Sequence, residues 1–163
     1  MEALLVRDIM RIGVLTCRPE EPVQALAARL LDQNCTSIVV LDEDGDARGW
    51  INEQCLVEAY LRQGQTAEDE PLTAADVMRE EVPDCPAEIP VTAAVQLMAD
   101  LGADHLFCLH HAGGRAWPAS VISLRDIVRA LAGPEYIHGQ GAGAPRPTPM
   151  DLFRQRYGQS GSR

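Results

Sequence analysis

At 163 residues the chain has the length of a single domain, and with 46% apolar but only 4% aromatic residues its core must be built from Val, Leu, Ile, Ala and Met. A net charge of −10 excludes a nucleic-acid surface, which needs clustered basic residues to neutralise phosphates. All 14 basic residues are Arg, and without Lys neither a Schiff-base lysine nor a phosphate-loop lysine is available.

The opening stretch, "MEALLVRDIM", lacks the basic start and apolar run of a signal peptide. No run of about 18 apolar residues follows that would span a membrane. Five Cys, at 17, 35, 55, 85 and 108, form no C-x-x-C pair; buried, reduced thiols in a cytoplasmic protein are the expectation. A short helical turn around Asp8-Ile9-Met10 leads into an extended segment, "GVLTC". Val23, Leu26, Ala27, Leu30 and Leu31 then fall on one face of a helix, with Asn34 where a left-handed cap belongs. A strand ("SIVVL"), a turn at Gly45, a second strand ("GWI") and a closing helix complete the first half.

The same elements then return. "RDIM" reappears as "ADVM", and Asp8/Asp76, Cys17/Cys85, Pro22/Pro90 and Gly45/Gly113 are each 68 positions apart. Beyond Gly113 the offset is 71, as in Asn52/Ser123, which places three extra residues in a loop "HHAGGRAWPAS". The second half has its own helix (Val91, Ala94, Val95, Met98) closing at Gly102, and its own strands, "HLFCL" and "SVI". Two copies imply a unit packed against its twin rather than a solenoid, which needs three or more. The expected fold is α/β (α+β): two tandem β-α-β-β-α repeats, residues 1–71 and 72–138, whose helices cover small sheets. Residues 139–163 begin "GQGAGAPRPTP", a Gly/Pro linker, before a short helix capped by Thr148 with Met150, Phe153 and Tyr157 on one side. That tail carries four Arg against one Asp.

The strand-to-helix junctions differ between copies. "SVISLRDIVRAL" holds Ser123 and Asp126, while "GWINEQCLVEAY" holds Asn52 and Cys55. The tandem order of Asp-(Ile/Val)-Met, Pro-Val, Gly and an apolar pair followed by Ser-x-x-Asp resembles the cystathionine-β-synthase-type (CBS) domain pair over roughly residues 6–132. The resemblance implies a disc-like, pseudo-symmetric module with clefts for an adenosine-containing ligand: AMP, ADP, ATP or S-adenosylmethionine. By position it implies Ser123 and Asp126 at the ribose, Arg125 and His105 near the phosphate, and Val82, Cys85 and Leu106 at the base. Cys55 lacks the acceptor strength of a carboxylate, so the first half-site is expected to be degraded. The family's habit of pairing, with the apolar helix faces, implies a homodimer, and occupancy is expected to be passed to a partner protein.

Ser123-x-x-Asp126 is also a helix-capping pattern, and the two roles are compatible because a helix N-terminus facing a cleft favours phosphate. His105, Cys108, His110 and His111 suggest a metal, but strand neighbours diverge and no further ligand group stands at suitable spacing, so no metal is expected. No nucleophile–base pair or carboxylate dyad marks an enzyme. A ligand-sensing module and a ligand-free dimeric scaffold that binds its partner through the tail are the two readings that remain.

Overall fold

The structure is a computed structural model, and it describes residues 2–64 and 70–137. The first half runs through α1 (Val6–Ile9), β1 (Arg11–Ile12), β2 (Thr16–Cys17), α2 (Val23–Asp32), β3 (Ser37–Leu41), β4 (Ala47–Asn52) and α3 (Glu53–Gln63). The second comprises α4 (Ala74–Val77), β5 (Arg79–Glu80), α5 (Val91–Leu101), β6 (His105–Ala112), β7 (Arg115–Ser123), α6 (Leu124–Ala132) and a short α7 (Pro134–Ile137). Asn34 (φ 51°) and Gly102 (φ 60°) take the left-handed conformation just past α2 and α5, as their sequence positions predict. The expected tail helix lies outside the described residues.

Two sheets form, ordered β2-β3-β4-β5 and β1-β7-β6, and they pack face to face with helices on their outer sides. The alternation along each strand explains this layering. On β3, Ile38 and Val40 enter the core under α2 while Val39 faces the other sheet. On β6, Leu106 and Cys108 point to α5 and α6, and Phe107 points to the seam. The outer cores are aliphatic as composition requires. The seam is not: Trp50 and Phe107, both buried, meet edge to face with ring centroids 5.9 Å apart.

The two halves exchange their leading segments. β1 pairs with β7 of the second half and β5 with β4 of the first, both antiparallel. Val6 and Ile9 accordingly sit in the second half's core, and Ala74 in the first's. Matching backbone bonds fix both arms: Val6 N to Ile89 O at 3.0 Å and Val91 N to Leu4 O at 2.8 Å on one side, Ala74 N to Glu21 O and Val23 N to Leu72 O, each 2.9 Å, on the other. Gly49 marks how tightly β5 lies on β4. A Cβ there would stand 2.6 Å from Met78 Sδ and 2.8 Å from the Arg79 carbonyl oxygen.

The segment read as a loop, "HHAGGRAWPAS", is a hairpin instead. β6 and β7 run on to Ala112 and Arg115, joined by Gly113 (φ 59°) and Gly114 (φ 77°). Two positive-φ residues in succession form the tight turn whose twist suits a β-ribbon.

Candidate functional site

The two junctions that differ in sequence differ in bonding. Ser123 stands extended before α6 (φ −118°, ψ 166°), and its backbone N–H and its hydroxyl both donate to Asp126 Oδ2 at 2.9 Å. Arg129 donates to the other carboxylate oxygen at 3.2 Å. At the first junction Asn52 Oδ1 accepts from the Cys55 N–H at 2.9 Å, which caps α3. Its amide nitrogen donates to both oxygens of Asp104, 3.0 Å each, across the seam. One junction therefore keeps its carboxylate inside its own first turn, and the other borrows one from the opposite half.

A cavity of about 210 Å³ opens beside the second junction. One wall is Ser123, Arg125, Asp126 and Arg129 at the start of α6. The facing wall comes from the first half, Gly13 to Leu15 after β1 and Asn34 to Ser37 entering β3, with Arg11 at the rim. A side recess of about 150 Å³ continues between Glu53, Asp104 and His105. Together the two spaces reach the lower end of ordinary small-molecule sites, roughly 300–1,000 Å³. His105, 5% exposed, stands where they meet; its Nδ1 lies 2.8 Å from Asp104 Oδ1 and its Nε2 2.7 Å from Thr36 Oγ1.

Four of the seven residues singled out from sequence, Ser123, Arg125, Asp126 and His105, border this cavity. The other three do not. Cys85 and Leu106 face the core beneath α5, at 1% and 0% exposure. Val82 lines a different depression, alongside Trp50, Arg79, Leu101, Gly102 and Ala103. The strand exchange is the reason, since it sets residues 11–15, rather than their copies at 79–83, opposite Ser123. Arg11, Thr36 and Arg129 escaped the sequence reading; the offset of 68 between Arg11 and Arg79 would have paired the walls only with the exchange known.

The Val82 depression is the pseudo-symmetric counterpart of the cavity. It is wider and shallower, about 360 Å³, and its contents have changed. Trp50 stands where the second half has Val121 and is 3% exposed, with the Arg79 guanidinium 5.4 Å above its ring. Gln54, Cys55 and Glu58 occupy the positions of Arg125, Asp126 and Arg129. The cationic wall exists once.

Burial pushes the Asp104 carboxyl up, but hydrogen bonds from Asn52 and His105 and the charge of the imidazole outweigh it, so the group lies below its ordinary value of 3.8. Cys17 and Cys85 sit at equivalent positions, each buried in a core. Burial and the Glu21 charge push Cys17 up to about 12, against the pull of Arg29. Cys85 is raised by its hydrogen bond to Cys108 and by burial. Both are inert small hydrophobes rather than nucleophiles. Among the described residues no three His, Cys, Asp or Glu side chains cluster to hold a metal ion, and no helix is long and apolar enough to cross a membrane.

Comparison with known proteins supplies relatives. The profile of the CBS domain family matches twice, over residues 6–62 and 74–133. An uncharacterized protein of Methanopyrus kandleri is 26% identical over 129 residues, which is 79% of this chain and 63% of that relative, so the chain spans under two thirds of its length. A CBS-domain-containing protein of Agrobacterium tumefaciens has a similar structure: 26% identity, TM-score 0.67, covering 79% of this chain and 94% of the other. The CBS domain pair of protein MJ0100, solved with 5′-methylthioadenosine and S-adenosyl-L-methionine, superposes at TM-score 0.67 with 20% identity, covering 80% and 98%. The protein CBSX2, solved in complex with AMP, does so at 0.61 with 17% identity, covering 79% and 96%.

Proposed function

Because the chain belongs to the CBS-domain family, with both copies of the domain present, we propose that it is a regulatory module. It binds one adenosine-containing ligand (AMP, ADP, ATP or S-adenosylmethionine) in the cavity beside Ser123 and Asp126 and signals occupancy to a partner protein. The observation that carries this reading is the inequality of the two clefts. One is open and lined by Arg125, Arg129 and the Ser123–Asp126 pair. Its counterpart holds Trp50, and its junction residue Asn52 is tied to Asp104. The adenosine compounds bound by two structural relatives support the ligand class. The absence of lysine and the double match to the CBS domain profile support regulation over catalysis.

A homodimer belongs to the same proposal. Leu124, Val128 and Leu131 form an exposed apolar stripe on α6, at 52%, 61% and 83% exposure. Val57 and Tyr60, the repeat equivalents of Val128 and Leu131, are exposed likewise on α3.

Calorimetry with the four compounds tests the ligand reading. Saturation at one ligand per chain is the expected result, with a rise in stability of about 2.7 kcal/mol at a hundredfold excess over Kd. Two ligands per chain, or none for all four compounds, defeats it. One observation favours the scaffold reading: Ser123 and Arg129 already engage both oxygens of Asp126, so capping alone gives that carboxylate a purpose. On the scaffold reading no compound changes the melting temperature.

A further inference from the structure

The contacts of His105 constrain its hydrogens. Ionised Asp104 can only accept, so the 2.8 Å contact places a hydrogen on Nδ1. In the neutral ring Nε2 is then a bare acceptor, and the Thr36 hydroxyl 2.7 Å away must donate to it. With its proton so engaged, Thr36 shows the cavity lone pairs only. A proton taken from solvent onto Nε2 reverses that bond: Nε2–H donates to Oγ1, and the hydroxyl hydrogen is free to turn into the cavity. Thr36 thus offers acceptors beside neutral His105 and a donor beside protonated His105.

The charged groups around the imidazole decide which state a ligand selects. Asp104 on its own chain segment, Glu53 on α3 and Asp126 on α6 are negative; Arg11 on β1 and Arg125 and Arg129 on α6 are positive. Arg129 is committed to Asp126, and Arg11 donates to the Asn34 carbonyl at 3.0 Å. Arg125, exposed, makes no hydrogen bond or ion pair among the described residues, which leaves a cation for an incoming anion. We infer that the ligand of this cavity is a phosphorylated one whose phosphate accepts from Thr36, and that its binding is coupled to uptake of one proton by His105. This rests on the adenosine-ligand reading and narrows it: a phosphate oxygen accepts only and requires the second state, whereas a ligand that offers Thr36 only donors is served by the first.

Calorimetry of AMP binding at pH 8, in buffers of different ionisation enthalpy, measures the coupling. At that pH the phosphate, whose second ionisation lies near 6, is already the dianion. The wild type should take up about one proton per AMP. Thr36→Val should remove the uptake, and Thr36→Ser, which keeps the hydroxyl, should preserve it. AMP binding without uptake, or with uptake undiminished in Thr36→Val, overturns the inference and leaves the adenosine reading standing. Binding of S-adenosylmethionine in place of AMP does the same. Failure of both compounds to bind removes the adenosine reading and the inference together.

Discussion

At the scale of single residues, Asp126 does two jobs that one substitution separates. It closes the first turn of α6 through Ser123, and on the proposed reading it accepts from the ribose. Asp126→Ala should therefore lower stability by about 0.5–2 kcal/mol. Affinity should fall roughly tenfold to hundredfold as well, because a charged acceptor is worth about 1.5–3 kcal/mol. Denaturant titration and calorimetry on the same protein read the two effects; a stability loss with unchanged binding would leave only the cap. Asn52→Ser with Cys55→Asp should not restore the first site, since Trp50 stays in the cleft and Asp104 loses its Asn52 partner, and calorimetry on that variant should still give one ligand per chain. Asp104 also sets an acid limit. Its folded pKa lies below the unfolded one, so the stability it contributes is complete above about pH 4 and is lost as pH falls through the folded value. Urea midpoints measured from pH 6 to pH 3 should fall less steeply in Asp104→Asn than in the wild type.

At the scale of elements, β4 and β5 meet in close contact at Gly49. Gly49→Ala should cost about 1–3 kcal/mol, because the new methyl meets the Arg79 backbone carbonyl as well as the Met78 thioether. A loss under half a kilocalorie would mean that β5 yields freely. The same joint shows where sequence reading stopped. The helices α2 and α5 were legible from their apolar spacing, and β3 and β6 from their runs of Ile, Val, Leu and Phe. β1 and β5 are two residues each, too short for any periodicity, and their pairing partners lie about 30 residues away in sequence for β5 and over 100 for β1. The cavity inherited that gap. Ser123 and Asp126 are legible at the strand-to-helix junction and Arg125 and His105 through the resemblance to the CBS pair, while Arg11 and Thr36 reach the site only through the exchanged β1 and the start of β3.

At the scale of the whole molecule, neither half holds a complete core alone. Residues 1–64 would lack Ala74 and the β5 edge, and would expose Val6 and Ile9, which the second half buries. Expressed separately, residues 1–64 and 70–137 should be unfolded by circular dichroism and should regain structure when mixed; a cooperative melting transition in either fragment alone would contradict this. The exposed stripes on α3 and α6 lead to the second test at this scale. Light scattering should give twice the mass of one chain for the wild type. Val128→Arg with Leu131→Arg should give a monomer with its ligand affinity intact.

The exchange of arms is the contact pattern of two identical chains clasping each other, drawn here by one chain passing through both positions. Two identical chains would be bound by symmetry: any change in one cleft would appear in the other. A single chain carries no such obligation. Asn52, Cys55 and Trp50 can strip one cleft of its junction carboxylate while Ser123, Arg125 and Asp126 furnish the other, so the molecule keeps the contacts of a symmetric clasp and still has a front and a back.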